Sequence, residues 1–155
     1  MTEVSKQEKR QNPAERLLRE RQSNREALVA MLYEYRMAGH EDASFGEKTL
    51  ENFDLVSGAK DYALGHLPEI IDQLEDIDRC IEENLRGWSL HRLAKVDRAI
   101  LEVAVYEMLF IPSIPHQVSI NEALEIAKRF SNQESARFIN GVLASVYRSL
   151  EGEKS

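Results

Sequence analysis

The chain has 155 residues, with 20 Lys/Arg against 27 Asp/Glu for a formal net charge of −7, and it is 43% hydrophobic and 30% charged. That length suits one domain around one core. The longest apolar runs are far too short to span a bilayer, and a lone cysteine, Cys80, excludes an internal disulfide.

The charge is unevenly placed. Residues 1–36 hold eight Lys/Arg against six Asp/Glu, residues 37–87 hold four against thirteen, and residues 88–155 hold eight against eight. The acidity therefore sits in the middle, and both ends can present local basic surface. The N-terminus MTEVSKQEKRQ has no apolar stretch of the kind a secretory signal needs, so a reducing cytoplasm is expected.

In chain order, residues 1–11 are polar and lack periodicity, which predicts a flexible tail. Asn12-Pro13 reads as an N-cap followed by proline at the first helical position. Ser23 and Glu26 form a second start signal, so one helix over 13–38 and a break near Ser23 are both compatible with the pattern. Ala27, Leu28, Met31, Leu32 and Tyr35 make a core face, and Gly39 is the predicted end.

Arg19, Arg21 and Arg25 lie along the first part of this helix. Guanidinium forks match phosphate oxygens, so the three read as a small phosphate-binding patch. The plain alternative is a solvated face balanced by Glu15, Glu20 and Glu26.

Ser44 and Glu47 predict a short helix over about 46–52. Helical periodicity then runs from Leu55 to Leu85, interrupted at Pro68, where a kink or split is expected. Cys80 falls within this pattern as a small core filler. Gly87 closes the segment, Trp88 follows, and Ser89 caps a short turn. Leu93 to Met108 is apolar on nearly every side, which predicts a central buried helix over about 92–110. Pro112 and Pro115 bound the next loop.

The last stretch carries two capping-box signals, Ser119 with Glu122 and Ser131 with Glu134, and these predict where the final two helices begin. Ile120, Ala123, Leu124, Ala127 and Phe130 form the apolar face of one, and Ile139, Val142, Leu143 and Val146 that of the other. Gly141 inside the last helix suggests a close approach of another backbone, and Asn121 and Asn140 suggest bonds to neighbouring helix ends. Arg137 beside Phe138, with Glu134 at the helix start, pairs charge with a π face as single-stranded RNA requires. The plain alternative places Phe138 in the core. No alternating strand pattern or hairpin turn signal occurs, so the expected class is all-α.

No two histidines sit three or four apart and Cys80 has no ligand-spaced partner, so no metal is expected. Phosphate-loop, dinucleotide and nucleophile-elbow motifs are absent, and the paired carboxylates fall on charged helix surface. No cofactor and no catalysis are expected.

Three stretches carry a family resemblance: INEALEIAKRF followed by ARFINGVL, then LAKVDRAILEVAVYEMLF over Leu93–Phe110, and REALVAMLYEYRM over Arg25–Met37. Together they resemble the NusB family of transcription antitermination factors, in the family's order, over most of residues 23–148. The resemblance implies a compact bundle of about six to seven helices in two packed helical subdomains. It spans 12–150 as one domain, with a flexible C-terminus over 151–155. It implies RNA contact by the arginine-rich N-terminal region, here Arg19, Arg21 and Arg25, although Gln22, Ser23 and Asn24 dilute that run. It also implies RNA contact at Glu134, Arg137 and Phe138, with Glu134 as a cap or tuner of affinity.

The family pairs with the ribosomal protein NusE, and the matching partner-facing positions are Tyr33 and Asp97. The implied function is an adaptor that binds NusE and a boxA-type single-stranded RNA within the transcription elongation complex, supporting elongation through ribosomal RNA operons. Two alternatives remain at this point. One is the helical RNA-binding domain of an RNA cytosine methyltransferase. The other is a helical adaptor that binds only protein, including a homodimer that would hide the arginine-rich face.

Overall fold

The computed structural model describes residues 12–38 and 58–154. Among them are six α-helices and one 3-10 turn, and no strand: α1 (Pro13–Ala38), α2 (Ala59–Asp72), α3 (Leu74–Glu83), the 3-10 turn Leu90–Arg92, α4 (Lys95–Phe110), α5 (His116–Phe130) and α6 (Gln133–Lys154). The all-α class expected from periodicity is the observed one. The expected helix over 46–52 and the stop at Gly39 lie outside the described residues. The chain divides into two compact units, Met1–Glu69 and Ile70–Ser155.

In the first unit, α1 is one uninterrupted helix of 26 residues. Asn12 caps it: its side-chain oxygen accepts from the Glu15 N–H at 2.8 Å, and its carbonyl accepts from Arg16 at 3.0 Å. Ser23 is buried inside the helix and starts nothing. Ala27, Leu28, Met31 and Leu32 are fully buried. On α2, Ala59, Ala63 and Leu67 form a buried stripe at four-residue spacing. Gly58 precedes it with φ +94°, a left-handed value that glycine adopts without steric cost.

Pro68 does not break α2. It is exposed, so the carbonyl left without its N–H donor can turn to water. The break comes at Gln73, where a tighter Gln73 N–H to Ile70 carbonyl bond of 3.1 Å replaces the helical pattern.

The second unit is built around α4, which packs against α3, α5 and α6, while α5 and α6 pack on each other. Ten of the residues in α4 from Ala99 to Met108 are buried in unbroken succession, as a helix covered on all sides requires. Three carboxylates of this helix are buried, Asp97, Glu102 and Glu107. Glu107 accepts from the Ser119 hydroxyl at 2.8 Å. Glu102, fully buried, has Arg98 Nε at 3.5 Å, and the same guanidinium donates to Asp78 Oδ2 at 3.2 Å. These pairings offset part of the cost of placing charge inside a core.

Both predicted capping boxes are displaced. α5 begins at His116, three residues before Ser119, because Pro115 sets the entry, and the Ser119 hydroxyl is spent on Glu107. α6 begins at Gln133, and its cap is Asn132, whose side-chain oxygen accepts from the Ser135 N–H at 2.7 Å. Ser131 instead donates to the Ser135 hydroxyl at 2.9 Å. Ser89 occupies the N-cap position of the 3-10 turn without a side-chain capping bond. α6 continues through the 151–154 stretch to Lys154.

Phe130, expected on the apolar face of α5, is 41% exposed. A Cβ at Gly141 would meet nothing within 4 Å, so no close approach explains that glycine. Asn121 accepts from Gln117 at 3.0 Å within its own helix, not from a neighbouring helix end.

Candidate nucleic-acid and partner interface

The first unit carries four of the sequence-predicted site residues, all on α1. Arg21 is exposed and Arg19 half-buried. Arg25 is only 6% exposed, and its Nη1 donates to the Arg21 carbonyl at 3.4 Å. The continuous helix does place Arg21 and Arg25 four apart. Burial nevertheless turns the Arg25 fork back onto its own backbone, so of this pair only Arg21 presents an open guanidinium. Tyr33 is half-buried one turn from the end of α1.

In the second unit, Glu134, Arg137 and Phe138 sit together at the start of α6. Glu134 and Arg137 are exposed and Phe138 is half-buried. Glu134 lies in the first turn, where a carboxylate is favoured by the helix dipole. The Phe138 ring is covered on one side by Trp88, edge to face, with centroids 6.4 Å apart and planes at 68°. Trp88 itself is 57% exposed.

The loop that holds Trp88 is fixed from both sides. Leu85 and Leu90 are buried. Asn84 donates to the Cys80 carbonyl at 2.8 Å and accepts from the Ser145 hydroxyl of α6 at 2.6 Å. Gly87, at φ +80°, makes the turn that sends the indole outward.

Asp97 lies in the first turn of α4 and is 7% exposed. Its Oδ2 accepts from the Ser135 hydroxyl at 2.8 Å, which links it to the start of α6. Its Oδ1 is buried without a hydrogen-bond partner among the described residues. Asp97, expected as a partner-facing position, therefore has its carboxylate turned inward and held by Ser135. Its sequence neighbour Arg98 pairs with Asp78 and Glu102 instead.

The sequence profile of the NusB family matches residues 22–148. The chain belongs to the NusB family. It is 40% identical over 131 residues to the transcription antitermination protein NusB of Bacillus cereus, covering 84% of this chain and 98% of that one. It is 38% identical over 128 residues to the protein of the same name from Acetivibrio thermocellus, covering 83% and 88%.

Among solved structures, it is similar to T. maritima NusB at 37% identity and a TM-score of 0.70, over 83% of this chain and 90% of that chain. It is also similar to a chain in the crystal structure of the antitermination factors NusB and NusE in complex with dsRNA. That match has 25% identity and a TM-score of 0.75, over 85% of this chain and 98% of that chain. The Bacillus cereus and Acetivibrio thermocellus relatives are both transcription antitermination proteins by name.

Within this NusB-family chain, the structure brings Glu134, Arg137 and Phe138 together and ties Asp97 to their helix through Ser135. Sequence reasoning missed three contributors: Trp88, Ser135 and Asn132. Trp88 had a usable signal, since it belongs to no apolar helical face and follows Arg86-Gly87. Ser135 had none, because its role depends on a residue 38 positions away. Among the described residues no group of three or more His, Cys, Asp or Glu could hold a metal ion, and no helix is long and apolar enough to cross a membrane.

Proposed function

We propose that this protein is a transcription antitermination factor, a cytoplasmic, non-catalytic adaptor that pairs with a NusE-type ribosomal protein and binds RNA in its company. The observation that carries the reading is the likeness, over 85% of this chain, to a NusB solved together with NusE and dsRNA. The RNA ligand is a boxA-type single-stranded element in the nascent transcript, and the complex holds it near the elongating polymerase on ribosomal RNA operons. Exposed Arg137 beside the Phe138 ring supports RNA contact in the second unit, and exposed Arg21 supports a further phosphate contact in the first.

A chain of net charge −7 attracts polyanions weakly, which favours a second polypeptide that completes the RNA surface. Each weak contact then raises the effective concentration of the next. For the partner, half-buried Tyr33 offers an amphipathic ring, the type of side chain favoured at interfaces. Asp97 acts by holding α4 and α6 in register through Ser135, not by an open ion pair.

The test is fluorescence anisotropy of a labelled boxA-type RNA with this protein, with its cognate NusE, and with both. Tight binding only by the pair supports the proposal. Equal binding to the pair and to NusE alone refutes it. A double-stranded RNA of the same sequence, run in parallel, decides the strandedness.

A further inference from the structure

Trp88 is the only tryptophan of the chain and its most exposed large hydrophobic side chain among the described residues, at 57%. Large apolar side chains exposed singly are common, so the exposure of this indole counts only together with its fixed loop and its contact with Phe138. Flexibility does not account for it here, because the loop is anchored by buried Leu85 and Leu90 and by the Asn84–Ser145 bond of 2.6 Å. The indole lies against the Phe138 ring with centroids 6.4 Å apart, and more than half of the residue is exposed.

The charge around it has one sign along the chain. Between Glu83 and Asp97 there is no Asp or Glu, while Arg86, Arg92 and Lys95 all occur there and all three are exposed. Arg137, exposed, precedes Phe138. Glu134, one turn earlier on α6, is the nearby carboxylate in that helix and would oppose phosphate on its own side. A fixed aromatic face on a stretch that carries Arg86 and Arg92, packed on the Phe138 that follows Arg137, suits an unstacked base and its phosphates.

We infer that Trp88 is a base-stacking residue of the RNA site, with Phe138 as the side wall that holds the indole and Arg86, Arg92 and Arg137 as its phosphate contacts. Given that support, the half-buried Phe138 acts chiefly through Trp88. The inference rests on the RNA-binding reading of the preceding subsection. It adds a residue and a ligand class, an unpaired nucleobase.

Because Trp88 is the only tryptophan, its fluorescence reports this position alone. The experiment titrates the complex of the full chain and NusE with unlabelled single-stranded boxA-type RNA, follows tryptophan emission, and uses the Trp88→Phe complex as the blank. Anisotropy of a labelled copy of the RNA gives affinity in parallel for wild type, Trp88→Ala and Trp88→Phe. Circular dichroism checks the fold of each variant.

The expected result is saturable quenching that tracks RNA binding. Trp88→Ala should weaken affinity by about tenfold to a hundredfold and Trp88→Phe should recover most of it. RNA binding with unchanged emission and a wild-type Trp88→Ala affinity overturns the inference and leaves the adaptor reading standing. Trp88→Ala that loses NusE binding measured without RNA also overturns it, by making Trp88 a protein-docking residue. Absence of RNA binding by the wild-type complex overturns both.

Discussion

The Ser135 hydroxyl donates to Asp97 Oδ2 at 2.8 Å, joining the first turn of α6 to the first turn of α4. Ser135 also receives the Ser131 hydroxyl at 2.9 Å and gives its own N–H to Asn132 at 2.7 Å. One serine thus fixes both the start of the helix that carries Arg137 and Phe138 and the orientation of a nearly buried carboxylate.

Removing that hydroxyl leaves Asp97 with neither oxygen satisfied. Ser135→Ala should therefore lower stability by about 1.5–3 kcal/mol, the range for a hydrogen bond to a charged group. In urea unfolding, Asp97→Ala placed on top of Ser135→Ala should cost clearly less than it does alone, because contacting residues are non-additive. Strictly additive losses would mean that the bond contributes nothing.

The two candidate caps of α6 make opposite demands. Asn132→Ala should cost about 1 kcal/mol, the usual loss of an N-cap. Ser131→Ala removes only a hydroxyl-to-hydroxyl bond and should cost less. A larger loss at Ser131, measured by thermal or urea unfolding, would restore the capping box read from its spacing with Glu134.

These residues also show how far sequence alone reached. The all-α class, the existence and order of the long helices, the Asn12 cap and the burial of α4 all follow from periodicity and end signals, because those are local properties. Helix starts at α5 and α6 did not, since Ser119 and Ser131 spend their hydroxyls on Glu107 and Ser135, partners outside the local motif. Arg25 and Asp97 were legible as charges but not as buried ones. Trp88 was visible and passed over, because its meaning lies in the contact with Phe138, 50 positions away by their numbers.

Gly141 offers a gain. It is exposed inside α6, and a Cβ there meets nothing within 4 Å. Gly141→Ala should stabilise the protein by about 0.5–1 kcal/mol through helix propensity. The expected readout is a higher urea midpoint with an unchanged slope. A lower midpoint would show that the glycine is needed by the fold itself.

The arginines of α1 should separate cleanly. Arg21→Glu, at an exposed position, should weaken RNA binding by the NusE complex and flatten the dependence of log affinity on log salt by about 0.7, the single-strand value for one phosphate. NusE binding should be unchanged. Arg25→Glu, at a position 6% exposed, should instead lower stability, because it removes the bond to the Arg21 carbonyl and buries a carboxylate. Loss of RNA affinity by Arg25→Glu at full stability would put that guanidinium back on the RNA surface.

The central claim is that RNA and the protein partner bind this scaffold cooperatively. Linkage makes that claim measurable from either side, since NusE must raise the affinity for RNA by the same factor by which RNA raises the affinity for NusE. The decisive measurement is isothermal titration of NusE into this protein with and without saturating single-stranded boxA-type RNA at near-physiological salt. The account predicts a NusE affinity at least about tenfold higher with RNA present, a coupling within the usual range. Equal affinities in the two titrations, with the protein folded in both, would contradict it.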